Sequence, residues 1–353
     1  MSLHIGGLAP RFTAPTASNP RYPSAAFGAR YVVLAFLPTG LEGRQATLAH
    51  IAAHRALFDD VRVSAFGVLR EDDAIAMARD QVGLRWFMDR DGAVSRLFEA
   101  LDADGQAHPR WVLIDPFEAV MDCRPIEEAD HFFTRLRALP DPEDHAGVPL
   151  TAPVLITPRI LDADLCRRLV AYYDRDGGQV SGVMREIDGK TVPMVDDYKR
   201  RRDATITDPA LIAEVHDSLS RRLLPRIRKA FQFRVTRVER SIVACYDAAD
   251  GGYFKAHRDD TTPGTAHRRF ACTINLNAED FLGGDLRFPE FGAQTYRAPT
   301  GGAVVFSCSL LHEATPVTSG RRFAYLPFFY DEAAAAIRDA NAESLVPGAA
   351  DPI

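Results

Sequence analysis

The sequence predicts two domains of different class, an α/β layer structure followed by a mostly β sandwich or barrel with flanking helices. Three observations carry that expectation. A chain of 353 residues is long enough for about two domains at roughly 150 residues each. Up to about residue 139, β-rich apolar runs alternate with helix-like stretches. From 233 onward the pattern changes to many short β-rich runs separated by turn residues.

In the first part, YVVLAF at 31–36 reads as a buried strand, and a helical stretch with Leu48, Ile51 and Leu57 follows. VRVSAFGVL at 61–69 reads as a second strand and DDAIAMARDQVG at 72–83 as a helix. WVLID at 111–115 is a further strand, and a last helix is expected around Glu127–Leu139. Pro140, Pro142, Pro149, Pro153 and Pro158, with acidic residues and Gly147 among them, mark an exposed seam that disfavours helix. The expected division is therefore a first domain at 1–139, a linker at 140–152, a second domain at 153–335 and a tail at 336–353. Beyond the seam, ILDADLCRRLVAYYD (160–174) has helical spacing with an Asp at its start. VERSIVACY, RRFACTINLN, DLRFP, AVVFSCS and RRFAYLPFF then read as strands.

Composition sets limits on function. With 46% hydrophobic and 25% charged residues, disorder, collagen and coiled coil are excluded as the main state. The net charge of −6 lies wholly in the first 150 residues, and the remainder is balanced. Neither part has the basic excess that a nucleic-acid binder uses against phosphates, so no nucleic-acid partner is expected. No apolar run approaches the length of a membrane span, and MSLHIGGLAPRFTAP lacks the pattern of a signal peptide. Five scattered cysteines without a CxxC suit free thiols in a reducing, cytoplasmic setting.

The candidate chemistry lies in the second domain. His257-Arg258-Asp259 is an H-x-D pair, and on extended backbone both side chains fall on one face. His312, on a distant strand, supplies a third ligand. Two histidines and one carboxylate on one face leave coordination positions open, the arrangement of non-haem Fe(II) oxygenases. Gly283-Gly284-Asp285-Leu286-Arg287-Phe288-Pro289, then Gly301-Gly302 and Phe306, then Gly320-Arg321-Arg322 accompany the triad in order. The basic run Lys199-Arg200-Arg201-Arg202, between Asp196, Asp197 and Asp203, reads chiefly as a solvated loop, with reception of an acidic substrate as its other reading. The remaining histidines, His267 among them, have no ligand spacing and are given no role.

In that order the motifs from about Val238 to Phe329 resemble the prolyl-4-hydroxylase-like branch of the Fe(II)/2-oxoglutarate dioxygenases. The resemblance implies a double-stranded β-helix, or jelly-roll, with iron on His257, Asp259 and His312. It implies that Arg322, ten positions past the second histidine, holds the distal carboxylate of 2-oxoglutarate through its planar fork. Arg321, its neighbour on a strand, should point the other way. Tyr246 matches a family tyrosine that bonds the keto acid or a ligand. Asn275 and Thr273 stand where relatives often carry a second carboxylate contact. The implied activity is hydroxylation of an unactivated C–H in an amino-acid-like, peptidyl or small-molecule substrate, with release of succinate and CO2 and with ascorbate allowed as an accessory reductant. Asp259 argues against halogenation, for which the family usually has a small residue there. Phe328, six residues past Arg322, replaces the second arginine usual in alkylation-repair relatives. Variable loops at 180–203 and 260–267 are where substrate choice is expected.

The first domain resembles the thioredoxin-fold peroxiredoxins through Gly6–Pro10 with Phe12, Phe36-Leu37-Pro38-Thr39 and WVLIDP at 111–116. The family's peroxidatic cysteine should follow the first strand, but residues 36–48 read FLPTGLEGRQATL. Without that nucleophile the resemblance implies packing, or binding of a protein partner or a second copy in a homodimer. A thiol peroxidase using Cys123, in VMDCRP just past a strand, and a scaffold with a vestigial metal site are the alternative functions.

Overall fold

The computed structural model describes residues 3–187 and 190–344. Positions 188–189 of the expected 180–203 loop and 345–353 of the expected tail lie outside the described residues. The chain divides into two compact units, Met1–Leu150 with Pro289–Gly292, and Thr151–Phe288 with Ala293–Ile353.

The first unit is built on a five-stranded sheet in the order Leu84–Met88, Val63–Leu69, Tyr31–Phe36, Arg110–Ile114, Val120–Pro125. The first two neighbouring pairs are parallel and the last two antiparallel. YVVLAF is apolar at every position because it is the central strand, buried on both faces. Val33 and Ala35 pack with Ile51, Phe132, Phe133 and Leu136 of the helices Leu41–Ala53 and Ala129–Ala138. Val32, Leu34 and Phe36 face a second cluster containing Phe66, Phe87 and Phe98.

Two expectations are corrected here. The helix expected at 72–83 spans only Asp72–Met77. The Asp80 carboxylate accepts from the backbone N–H groups of Ser18 and Trp86, which draws the chain out of the helix and into the strand Leu84–Met88. Cys123 lies within the strand Val120–Pro125 and not beyond one.

In the second unit the main sheet is antiparallel. It runs Arg237–Glu239, Phe328–Tyr330, Phe270–Asn275, Val317–Tyr325, Ile242–Asp247, Arg202–Thr205, Gln179–Val180. A smaller antiparallel sheet runs Lys199–Arg200, Tyr253–His257, His312–Ala314, Leu286–Arg287, Thr295–Tyr296. Period-two alternation sorts the main sheet's side chains. Val243, Cys245, Cys272, Ile274, Phe323 and Tyr325 pack with Leu165, Leu169, Val215, Leu219 and Ile227 from the helical side. Ala244 and Tyr246 face the other way, with Phe281, Ala314 and Val317. The helix Ala163–Asp176 starts where expected, with the Asp162 side chain accepting from the Leu165 N–H. The helices Pro209–Ser218 and Leu224–Phe231 are additions to the expected elements, although Asp208 and Pro209 mark the start of the first as a capping residue and a first-turn proline. A last helix, Glu332–Ala340, runs across the expected domain end at 335.

His267 is no idle histidine. It is 1% exposed and sits 2.6 Å from the Glu239 carboxylate, which also accepts from Arg268 at 2.6 Å. All three are buried, and Arg268 and His267 hold the Glu239 carboxyl well below the usual range against the opposing effect of burial. Glu239→Ala should cost about 3–5 kcal/mol, because it leaves a buried guanidinium unmatched. A carboxyl depressed in the folded state contributes fully above its unfolded pKa, and that contribution is lost as pH falls below it. Urea unfolding of wild type and Glu239→Gln between pH 7 and pH 3 checks both size and sign: the variant should lose less stability on acidification.

Candidate metal centre

His257 ends the strand Tyr253–His257, and His312 begins the strand beside it; the two are register partners. Asp259 is not on the strand, as the H-x-D reading expects, but in the bend beyond it. Its backbone N–H donates to the Cys308 carbonyl at 2.9 Å, which turns the carboxylate toward both histidines. Asp259 Oδ1 lies 3.5 Å from His257 Nε2, and Oδ2 lies 3.3 Å from His312 Nε2. One ligand atom from each residue lies within 4.8 Å of the other two, close enough to share one cation.

The imidazoles are oriented by their far nitrogens. His257 Nδ1 is 2.7 Å from the Lys255 carbonyl, and His312 Nδ1 is 3.0 Å from the Leu310 carbonyl. A carbonyl only accepts, so each Nδ1 carries a proton, which leaves Nε2, the atom facing Asp259, as the ring atom available to a metal. Phe254 stacks on His257 at 3.5 Å, and Phe306 packs against His312 at 4.6 Å. Burial and the neighbouring His312 push the His257 pKa down to about 4. The two imidazoles hold Asp259 ionised against its burial. Two imidazoles turned Nε2-inward and one carboxylate form a donor set that fits a ferrous ion.

Arg322, Tyr246 and Thr273 come together on the main sheet's inner face. Tyr246 and Arg322 are register partners, and the guanidinium carbon lies 5.0 Å from the tyrosine ring centroid. Thr273 Oγ1 accepts from Arg322 Nη2 at 3.3 Å. Arg322 is 2% exposed, and burial pushes its pKa down, the direction expected of a guanidinium that lacks a counter-anion. Arg321 points outward and pairs with Asp174 at 3.1 Å. Asn275 shares the sheet face of Thr273, but its amide donates to the Ala298 carbonyl, and no bond to Arg322 is seen among the described residues.

The two glycines of GGDLRFP have a physical reason here. Gly283 and Gly284 both take positive φ, and a Cβ on Gly284 would meet Val317 Cγ2 at 2.7 Å and Arg322 Cδ at 3.1 Å. The turn is tied by Arg297, which donates to Asp285 and to the Gly283 carbonyl. Gly284→Ala should cost about 1–2 kcal/mol of stability from backbone strain and press on the Arg322 side chain. Urea unfolding of the variant measures the cost.

The basic run at 199–202 is a correction. Lys199–Arg200 and Arg202–Thr205 are short strands of the smaller and the main sheet, joined at Arg201, and Lys199 and Arg201 are buried while Arg200 and Arg202 face out. Arg201 is held by Asp203 at 2.6 Å and reaches the Tyr246 hydroxyl at 3.4 Å. Like charges adjacent in sequence suggest solvent; only their alternation on a strand sends two of them inward.

Residues 241–330 match the family model of the 2OG-Fe(II) oxygenase superfamily. That superfamily takes Fe(II) and 2-oxoglutarate. A PKHD-type hydroxylase of Synechococcus is 34% identical over 89 residues, covering 24% of this chain and 39% of the relative. The chain thus spans about two fifths of the length of the curated relatives it matches. A prolyl hydroxylase of Trichoplax adhaerens covers 53% of this chain and 87% of its own, at TM-score 0.40 and 18% identity. A thioredoxin peroxidase of Plasmodium yoelii covers 38% of this chain and 90% of its own, at TM-score 0.33 and 18% identity. No helix among the described residues is long and apolar enough to cross a membrane.

Proposed function

We propose that the chain is an Fe(II)- and 2-oxoglutarate-dependent dioxygenase. It hydroxylates an unactivated C–H of an amino-acid-like, peptidyl or small-molecule substrate and works in the cytoplasm. The observation that carries this reading is the convergence of His257, Asp259 and His312 within 4.8 Å, with Arg322 buried on the facing sheet and without an ion-pair partner among the described residues. In this reading the two antiparallel sheets are the jelly-roll of the domain at 153–335.

His257 Nε2, Asp259 and His312 Nε2 would hold the iron. When bound, iron and 2-oxoglutarate would, with O2, supply oxidative decarboxylation to succinate and CO2, one atom of the O2 entering succinate and the other the substrate hydroxyl. Arg322 and the Thr273 hydroxyl bind the distal carboxylate, and the fork of the guanidinium fixes its plane. Tyr246 orients the same molecule from the neighbouring strand, its hydroxyl oxygen accepting from Arg201. Asn275 supports the wall through Ala298. Phe254 and Phe306 pack against the imidazoles and keep water from the ligand bonds. Mass-spectrometric comparison of lysates treated with wild type or His312→Ala tests the reading. A product one oxygen atom heavier should form with wild type alone; equal yield from both would reject it.

In the first domain, 1–139, we read a thioredoxin-like unit that serves packing, dimerisation or a partner. Burial pushes the Cys123 thiol up, away from the thiolate that peroxide chemistry needs, although Arg110 lies 3.7 Å from its sulfur. Peroxide consumption by wild type should therefore equal that of Cys123→Ser in a coupled peroxidase assay.

A further inference from the structure

Lys199 is, after Arg322, a second buried cation near the site without a carboxylate partner among the described residues. It is 7% exposed, and its ammonium donates to the Gly182 carbonyl at 2.6 Å. No carboxylate lies within ion-pair distance of Nζ among the described residues. Lys199 is in register with Phe254 on the neighbouring strand, and Nζ sits 4.8 Å from that ring's centroid. Phe254 in turn stacks on His257. Strand register and ring stacking therefore aim the ammonium at the inter-sheet space beside the metal ligands.

Other cations of this unit have carboxylate partners among the described residues. Arg201 is matched by Asp203, Arg268 by Glu239 and Arg297 by Asp285. A ferrous ion, the Asp259 carboxylate, the doubly charged cosubstrate and Arg322 together carry no net charge. Lys199 is left over. A buried ammonium without a counter-anion is costly, and desolvation pushes its pKa well down. Phe254 and His257 are only partly covered, so this wall is open to a ligand.

We infer that Lys199 selects the substrate: it binds a carboxylate of the molecule being oxidised, and the substrate class is small carboxylate-bearing compounds. This rests on the dioxygenase reading above, because the cosubstrate must use its own charge on iron and Arg322. The alternative source of a carboxylate at Lys199 is 2-oxoglutarate itself, and the test separates the two.

The full chain is loaded anaerobically with Fe(II) and 2-oxoglutarate, and its thermal midpoint is followed with acetate or acetamide at constant ionic strength. Acetate should raise the wild-type midpoint by about 2–4 °C at several times its dissociation constant, and acetamide should not. Lys199→Met should show no response to acetate, and Lys199→Arg should keep it, which guards against a methionine variant that folds poorly. The inference is overturned if acetate has no effect on wild type, if acetamide acts equally, or if Lys199→Met responds as wild type does. It is also overturned if the acetate response appears only without 2-oxoglutarate, which would assign Lys199 to the cosubstrate. Failure of the dioxygenase reading shows separately, as absence of a charge-transfer band on loading, before any acetate is added.

Discussion

Asp259→Ala is expected to abolish succinate release from 2-oxoglutarate, by more than the about 10–100-fold that partners outside the ligand set already cost. Asp259 supplies the only carboxylate of the candidate triad and sits within 3.5 Å of both histidine Nε2 atoms. Its removal leaves two imidazoles and no anionic ligand, an incomplete set for a ferrous ion, which such sites hold with two histidines and one carboxylate. Asp259→Asn keeps the shape but not the charge, and should fall close to the alanine variant. A fold defect is distinguishable, because the contacts of Asp259 with the two rings are offset by the cost of burying its charge, so the unfolding midpoint of the iron-free protein should stay near that of wild type. Isotope-labelled 2-oxoglutarate and measurement of released CO2 give the rate directly.

Arg322→Ala carries the second large effect, and it falls on a different parameter. The guanidinium is buried against Tyr246 and Thr273, with no carboxylate of the protein beside it among the described residues. A charge-assisted, bidentate contact in a dry pocket contributes about 1.5–3 kcal/mol, so the KM for 2-oxoglutarate should rise about 10–150-fold. Arg322→Lys should recover only part of this, because an ammonium cannot form the fork. Thr273→Val should raise KM by a smaller factor, and Arg321→Ala should change nothing, since Arg321 faces Asp174 on the outer surface.

The elements legible in the sequence were those whose burial is uniform or strictly alternating. YVVLAF announces a central strand because both its faces are covered. Arg322 and Arg321 divide inward and outward as period two requires. His257 and His312 could be picked out by their ordered company, Gly283-Gly284 and Phe306, each of which has a packing reason in the fold. What was not legible depended on contacts distant in sequence. Asp259 reaches the histidines through the Cys308 carbonyl, and the helix at 72–77 stops because Asp80 bonds to Ser18 and Trp86. His267 looked idle because it lies in a turn and its partner, Glu239, is on a strand 28 residues earlier. Lys199 and Arg201 looked solvated because a short charged run gives no sign of being strand until its neighbours are known. The signal available was the alternation itself: residues 199, 201 and 203 share one parity and hold two cations and one acid.

The most direct test of the central claim is anaerobic titration of the iron-free chain with Fe(II) in the presence of 2-oxoglutarate, followed by visible absorption. A single iron per chain should give a weak charge-transfer band in wild type, absent in His257→Ala and Asp259→Ala. It should persist in Cys123→Ser. A wild-type protein that takes up no iron, or a band that survives loss of Asp259, would contradict the account.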